Sequence, residues 1–273
     1  MPIMALPQDD LLASIDKTDS TALVDAAFKG LKIVNFESTK LVNENEFYFI
    51  VSHRFGSIKN GLDDFFGLDF ANTRLHFIYG FTDGFNMSIA RSSFNKTYDI
   101  SGKYRFAQQN ESFPVTLVGY SQIAFNTLLD EPVLQREVTL GDRVSFTQQL
   151  LISRKLNENI SIQIMPTYFY EGYVDYTPQD NSQFALGFGG RVKLSNRFSL
   201  NLDYGWHLNR ADGSPFVNPL SIGVDIETGG HVFQLHFTNA QPTFESGFLG
   251  NGVGDWGDGN IYFGFNLSRV FNF

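Results

Sequence analysis

The stretch Ile261-Tyr-Phe-Gly-Phe-Asn-Leu-Ser-Arg-Val-Phe-Asn-Phe273 ends the chain and carries two characters on alternate residues. Successive side chains of a strand point to opposite sides of a sheet. Ile261, Phe263, Phe265, Leu267, Phe271 and Phe273 therefore share one face, and Tyr262, Gly264, Asn266, Ser268 and Asn272 share the other. In water so large an apolar face needs a second sheet to cover it. In a membrane barrel, lipid covers that face and the polar one lines a lumen.

The upstream sequence decides between the two. From about Glu46 a period of two persists to the carboxyl terminus. Phe47, Phe49, Val51 and Phe55 alternate with Tyr48, Ser52, Arg54 and Gly56. Leu75, Phe77, Tyr79 and Phe81 alternate with Arg74, His76 and Gly80, and a Thr82-Asp83-Gly84 turn leads into Phe85, Met87 and Ile89. Continued along the chain, the pattern predicts an all-β, transmembrane, antiparallel up-and-down barrel of about twelve strands over residues 46–273, an even number in the bacterial range. Turn lengths agree. Short connections near Thr82, Asn157, Ser195 and Gly229, and the Gln108 to Phe113 link, fall on one side of the sheet. Longer ones near Asn60, Glu131, Tyr176, Asp212 and Gly250 fall on the other, where only Phe94-Asn95-Lys96 is short. Such barrels have short periplasmic turns and long outer loops. Tyr168, Tyr170, Tyr204, Trp206, Phe271 and Phe273 sit at strand ends, as interfacial girdles do.

Composition fits. Hydrophobic residues make up 42% of the 273, yet 29 are Phe and 11 Tyr, and no run approaches the roughly 20 apolar residues of a spanning helix. A net charge of −9 argues against a nucleic-acid partner. Without cysteine there is no disulfide and no thiolate chemistry.

The amino-terminal part reads differently. Residues 1–8 resemble the tail of an export signal, with the mature chain expected to begin near Gln8. From Asp9 to Gly30 the pattern is helical, with Asp19 or Ser20 as a cap and Gly30 as the stop. Residues 9–45 are thus expected to form a helical or extended segment that plugs the lumen, lies beneath the barrel or trails as a tail.

Two motifs, Ser52-His53-Arg54-Phe55-Gly56 and Gly257-Asp-Gly-Asn-Ile-Tyr-Phe-Gly-Phe-Asn-Leu-Ser-Arg-Val-Phe271, together resemble an uncharacterised family of Gram-negative outer-membrane β-barrel proteins, a domain of unknown function. The likeness spans most of Lys32 to Phe273 and implies fold and compartment, with no functional residue to carry over. The chain is unlike the phospholipase barrels, whose catalytic His and Ser lie two residues apart on one strand. Here Ser52 and His53 are adjacent and face opposite ways.

The lumen-facing parity collects Arg54, Arg74, His76, Asp99, Lys103, Arg105, Arg143, Arg191, Lys193, Asp203, His207, Asp225, Glu227 and His236. A mixed set of charges in a low-dielectric interior must pair or meet water, so a salt-bridge network in a narrow lumen is expected. No metal site is expected: His231 and His236 have opposite parity, and His53, His76 and His207 lie on separate strands. In the Gly250 to Asn260 loop, Asp255 and Asp258 do not meet the spacing of a calcium loop, and the tip residue Trp256 is a candidate contact for lipopolysaccharide or a partner. No hydrolase, phosphate-loop or dinucleotide motif occurs. The leading expectation is a non-enzymatic narrow channel for small solutes. A closed barrel serving as an anchor or partner of another envelope complex comes second, filled by Tyr48, Tyr120, Phe169 and the amino-terminal segment, and an outer-membrane hydrolase third. Expected partners are outer-membrane lipid, lipopolysaccharide and, during assembly, the barrel-insertion machinery, with Phe271 and Phe273 as its signal. No cofactor is expected.

Overall fold

A computed structural model describes residue 24 and residues 26–130, 136–228 and 231–272. Twelve antiparallel strands run up and down: β1 (Glu46–Ser57), β2 (Ala71–Thr82), β3 (Phe85–Ser92), β4 (Tyr98–Ala107), β5 (Thr116–Phe125), β6 (Val144–Lys155), β7 (Ile160–Glu171), β8 (Ser182–Lys193), β9 (Phe198–His207), β10 (Leu220–Thr228), β11 (His231–Thr238) and β12 (Tyr262–Asn272). Each pairs with its sequence neighbours, and β1 closes the ring on β12 in a register that sets Phe47 opposite Phe271 and Arg54 opposite Gly264. Closure satisfies every strand edge, which a sheet immersed in hydrocarbon requires. Among the described residues no helix is long and apolar enough to cross a membrane, which says nothing of crossing by strands.

The parity read from the sequence orders the two faces. Ile89, Ile100 and Ile123 point outward and are 59%, 56% and 61% exposed on the face left for lipid. Rings on the outer face stack in pairs across strands, as Phe55 does on Phe263 and Phe146 on Tyr170. Two details differ from expectation. Ile261 precedes β12 and is buried rather than on the lipid face. Trp256 is docked on the barrel, its indole N–H donating to the Leu220 carbonyl at 3.1 Å.

The inside is filled from both ends. The helix expected over 9–30 falls mostly outside the described residues, as do residues 1–8, and residues 26–30 are bends and irregular backbone. Residues 31–38 then form a tight hairpin. Ile33 N–H donates to the Phe36 carbonyl at 2.8 Å and Ser38 N–H to that of Leu31 at 2.9 Å, with the turn at Val34 and Asn35. Phe28, Ile33, Val34, Phe36 and Val42 are buried, and the chain leaves the lumen across Gly80 to begin β1. From the opposite mouth, the β11–β12 connection folds inward. Its short helix α2 (Glu245–Gly250) is buried throughout, whereas the single turn α1 (Leu140–Arg143) lies at the rim. The apolar interior packs this inserted chain against one side of the barrel: Phe28, Ile33, Phe36 and Leu41 meet Val118, Leu151, Met165, Phe169, Phe248 and Leu249.

Candidate functional site

A hairpin buried in a polar lumen must have its peptide groups satisfied by the wall, and wall side chains provide this. Asp203 on β9 accepts the backbone N–H groups of Val34, Asn35 and Phe36 through one carboxylate oxygen, at 3.0, 2.7 and 3.1 Å. Across the lumen, the Lys103 ammonium on β4 donates to the carbonyls of Leu31, Ser38 and Lys40 at 3.1, 2.9 and 3.2 Å. Gln163 grips both ways, its amide donating to the Glu37 carbonyl at 2.7 Å and accepting from Thr39 N–H at 3.0 Å. Gln234 and Asn266 donate to the carbonyls of Ile33 and Val34 at 2.6 and 3.2 Å. The hairpin tip, Asn35, accepts from Arg54 at 2.6 Å and donates to Ser221 and Thr238.

The wall is also shaped for the hairpin. A Cβ added to the inward Gly187 would lie 2.8 Å from the Phe36 ring, one on Gly189 2.3 Å from Ile33 Cδ1, and one on Gly223 3.2 Å from Val34. Glycine weakens a strand interior and is found where another chain comes close. These three positions, on two strands, form a bed for one turn of the plug.

Charges join plug, wall and inward loop. Glu37 lies 2.7 Å from both Lys32 and Lys103, and Lys32 also lies 3.3 Å from Glu245 of α2. Arg74 pairs with Asp99 at 2.7 Å and donates to the Thr243 carbonyl at 2.8 Å. Tyr120 OH donates to Glu245 at 3.0 Å. All of these side chains are buried. Three cations face three carboxylates, so the desolvated set is neutral, as a buried cluster has to be. Next to it, the Phe36 and Phe248 rings meet edge to face with centroids 4.8 Å apart. Cavities of about 250 Å³ at the outer mouth and about 300 Å³ at the inner mouth lie on either side of the plug.

Of the residues assigned to the lumen by parity, Arg54, Arg74, Asp99, Lys103 and Asp203 are thus brought onto the inserted segments or onto each other. His76 and His236 are buried nearby. Asp225 accepts from Gln234 at 2.6 Å, His207 pairs with Gln183 at 2.7 Å, and Arg191 lies 3.9 Å from Glu227. Two lie away from the centre. Arg105 is half-buried near the inner mouth, where it donates to Gln108, and Arg143 caps the rim by donating to the Asn126 carbonyl. The parity rule extends back beyond the start of β6, where the backbone still belongs to α1. Asp255 accepts from Gly257 N–H and Asp258 pairs with Lys59, so each has a local partner. Among the described residues no group of His, Asp and Glu is placed to hold a metal ion. Phe271 takes Arg269 over its ring at 4.8 Å, and Phe273 lies outside the described residues.

Parity could not find Lys32, Glu37, Glu245 or Phe248, because they lie on segments without period. The run of inward glycines on β8 was the available signal.

The family described as "Membrane bound beta barrel domain (DUF5777)" matches residues 28–271, taking in the plug hairpin as well as the barrel. Among solved structures the chain is similar to the NanC porin, with a TM-score of 0.51 and 11% identity over 83% of this chain and 99% of that one. It is also similar to the KdgM porin in complex with disordered oligogalacturonate, with a TM-score of 0.50 and 6% identity over 84% and 99%. An outer membrane channel from Pseudomonas putida F1 aligns at 0.49 and 13% over 85% and 97%. Identities this low speak for the fold alone. No curated protein matches the chain.

Proposed function

We propose that this chain, which belongs to the membrane-bound β-barrel family DUF5777, is a narrow outer-membrane channel for small solutes, held shut by its own amino-terminal hairpin. It is an integral outer-membrane protein. The observation that carries the reading is what fills the lumen. The strands themselves present polar side chains inward, and the blockage comes from two inserted segments held largely by hydrogen bonds and ion pairs. Twelve strands at 4.8 Å spacing and about 40° tilt give a backbone diameter of about 24 Å, and inward side chains leave an opening on the order of 10 Å once the segments are withdrawn. That width admits small hydrated solutes and excludes folded protein.

Charge balance favours a removable plug. Lys32 and Glu37 cancel within the hairpin, and its departure leaves Lys103 and Glu245 as a new complementary pair beside Arg74 and Asp99. No net charge is stranded in the lumen. The porin likeness of the fold adds to this reading. The histidines add nothing to a hydrolase: His53 contacts Thr73 and stacks on Phe265 at the outer face, and His207 pairs with an amide. The protein is read as non-enzymatic. One observation favours the second reading, a permanently closed anchor: the glycine bed fits the hairpin closely.

Planar-bilayer conductance of the refolded protein, with and without residues 1–42, separates the two. A channel is near silent at full length and conducts steadily after truncation. Silence in both, with heat-modifiable migration showing that both barrels have folded, would remove the amino-terminal hairpin as the gate and favour the anchor. The full-length Glu37→Gln variant covers the case in which the truncated chain does not fold.

A further inference from the structure

The outer face of the barrel carries a polar pair where hydrocarbon is expected. Ser121 on β5 and Gln148 on β6 are opposite each other in register and both point outward, with Ser121 Oγ donating to Gln148 Oε1 at 2.6 Å. Gln148 is the fifth residue of β6, which puts it about 10 Å below the outer strand end and about 18 Å above the inner one, well inside the apolar band. Other outward polar groups at such depths have partners or lie nearer an interface. His53 and Thr73 contact each other at 3.3 Å, and Arg91 donates to Tyr98 near the outer ends of β3 and β4. Among the described residues Gln148 has only Ser121 as a partner. Whichever way its amide is turned, one polar end is left without a protein partner, and an unmet amide in hydrocarbon is costly.

The surface around the pair is a depression of about 590 Å³. It is lined by the small residues Gly119, Ser121 and Pro166 and by the rings of Phe106, Tyr168 and Phe184. Pro166 interrupts the β6–β7 ladder, where paired positions pass from Gln149 with Thr167 to Ile152 with Ile164. Proline belongs at sheet edges or bulges, and a closed barrel has no edge. A hollow, a ladder interruption and an unmet amide thus coincide on one patch of β5 to β8.

We propose that this patch is the interface of a homodimer within the membrane, with Gln148 of one copy meeting Gln148 of the second. An acyl chain can fill the hollow but has neither donor nor acceptor for the amide at this depth. A second copy inserted in the same direction and related by a two-fold axis along the membrane normal places its own Gln148 at the same depth by symmetry. An amide is self-complementary, so the contact is isologous. Interhelical amide pairs stabilise association in lipid in the same way.

The chain has no cysteine, so a single introduced one reports cleanly. Leu150→Cys places a thiol beside the pair and leaves Ser121 and Gln148 intact; Ile89→Cys, outward on β3, is the control. Oxidative cross-linking in outer membranes is expected to give a band at twice the monomer mass from the first and none from the second, and adding Gln148→Leu is expected to lower the dimer yield about tenfold. Heat-modifiable migration confirms that each variant is folded. Three outcomes would overturn the proposal: cross-linking of Leu150→Cys to a different protein; no cross-link, with a bimane label at 150 quenched by acyl-chain spin labels, which makes lipid the occupant; or a dimer yield that Gln148→Leu leaves unchanged.

Discussion

Replacing Glu37 with glutamine tests the lock at its most constrained point. The carboxylate lies 2.7 Å from two buried ammonium groups, Lys32 and Lys103. The amide is nearly isosteric but leaves the closed state with an uncompensated buried cation, because Glu245 and Asp99 cannot balance Lys32, Lys103 and Arg74 together. Removing one partner of a buried pair costs about 3–5 kcal/mol. In the open state residue 37 and Lys32 are in water, so nearly all of that cost falls on the plugged form. The unplugged population then rises by roughly 140- to 3,700-fold, at about 1.4 kcal/mol per decade. The strand ladders are untouched, so the barrel itself keeps its stability. Single-channel recording reads the effect directly as open probability, with unit conductance equal to that of the chain lacking residues 1–42. Adding Lys103→Met removes the unpaired cation, leaves Lys32 with Glu245 and returns much of the closed population. An open probability unchanged in Glu37→Gln, with truncation still opening the pore, would show that the ion pairs do not hold the plug. The apolar packing of Ile33 and Phe36 would then be what retains it.

Two further predictions follow the chain to its ends. In Gly80→Ala the new Cβ would stand 1.9 Å from the Asn43 carbonyl oxygen; the segment leaving the lumen has to move, and at about 1–3 kcal/mol for overpacking conductance is expected to rise roughly 5- to 140-fold, whereas unchanged closure would mean that this crossing is slack. Deletion of Phe273 is expected to lower outer-membrane yield several-fold with no change in the conductance of the molecules that do insert; normal yield would remove the terminal aromatic from the assembly signal.

The sequence by itself determined the barrel. A period of two is a local property of an extended chain, and the alternation from Phe47 through Phe271, with its turns, specifies which residues face outward and how many strands there are. It also put Arg54, Arg74, Asp99, Lys103 and Asp203 inside. Only the tertiary structure decided what they do there. Glu37, Asn35 and Glu245 lie on inserted segments outside the strands, whose positions depend on contacts between residues more than a hundred apart, such as Asn35 with Thr238 and Tyr120 with Glu245. No periodicity encodes such contacts. The glycines at 187, 189 and 223 carried a trace of them, but an absent side chain becomes a binding feature only once the hairpin that occupies its space is known. The same holds outside the barrel: parity assigns Gln148 to the lipid face, and only the closed ring shows that it stands beside Ser121 over a hollow.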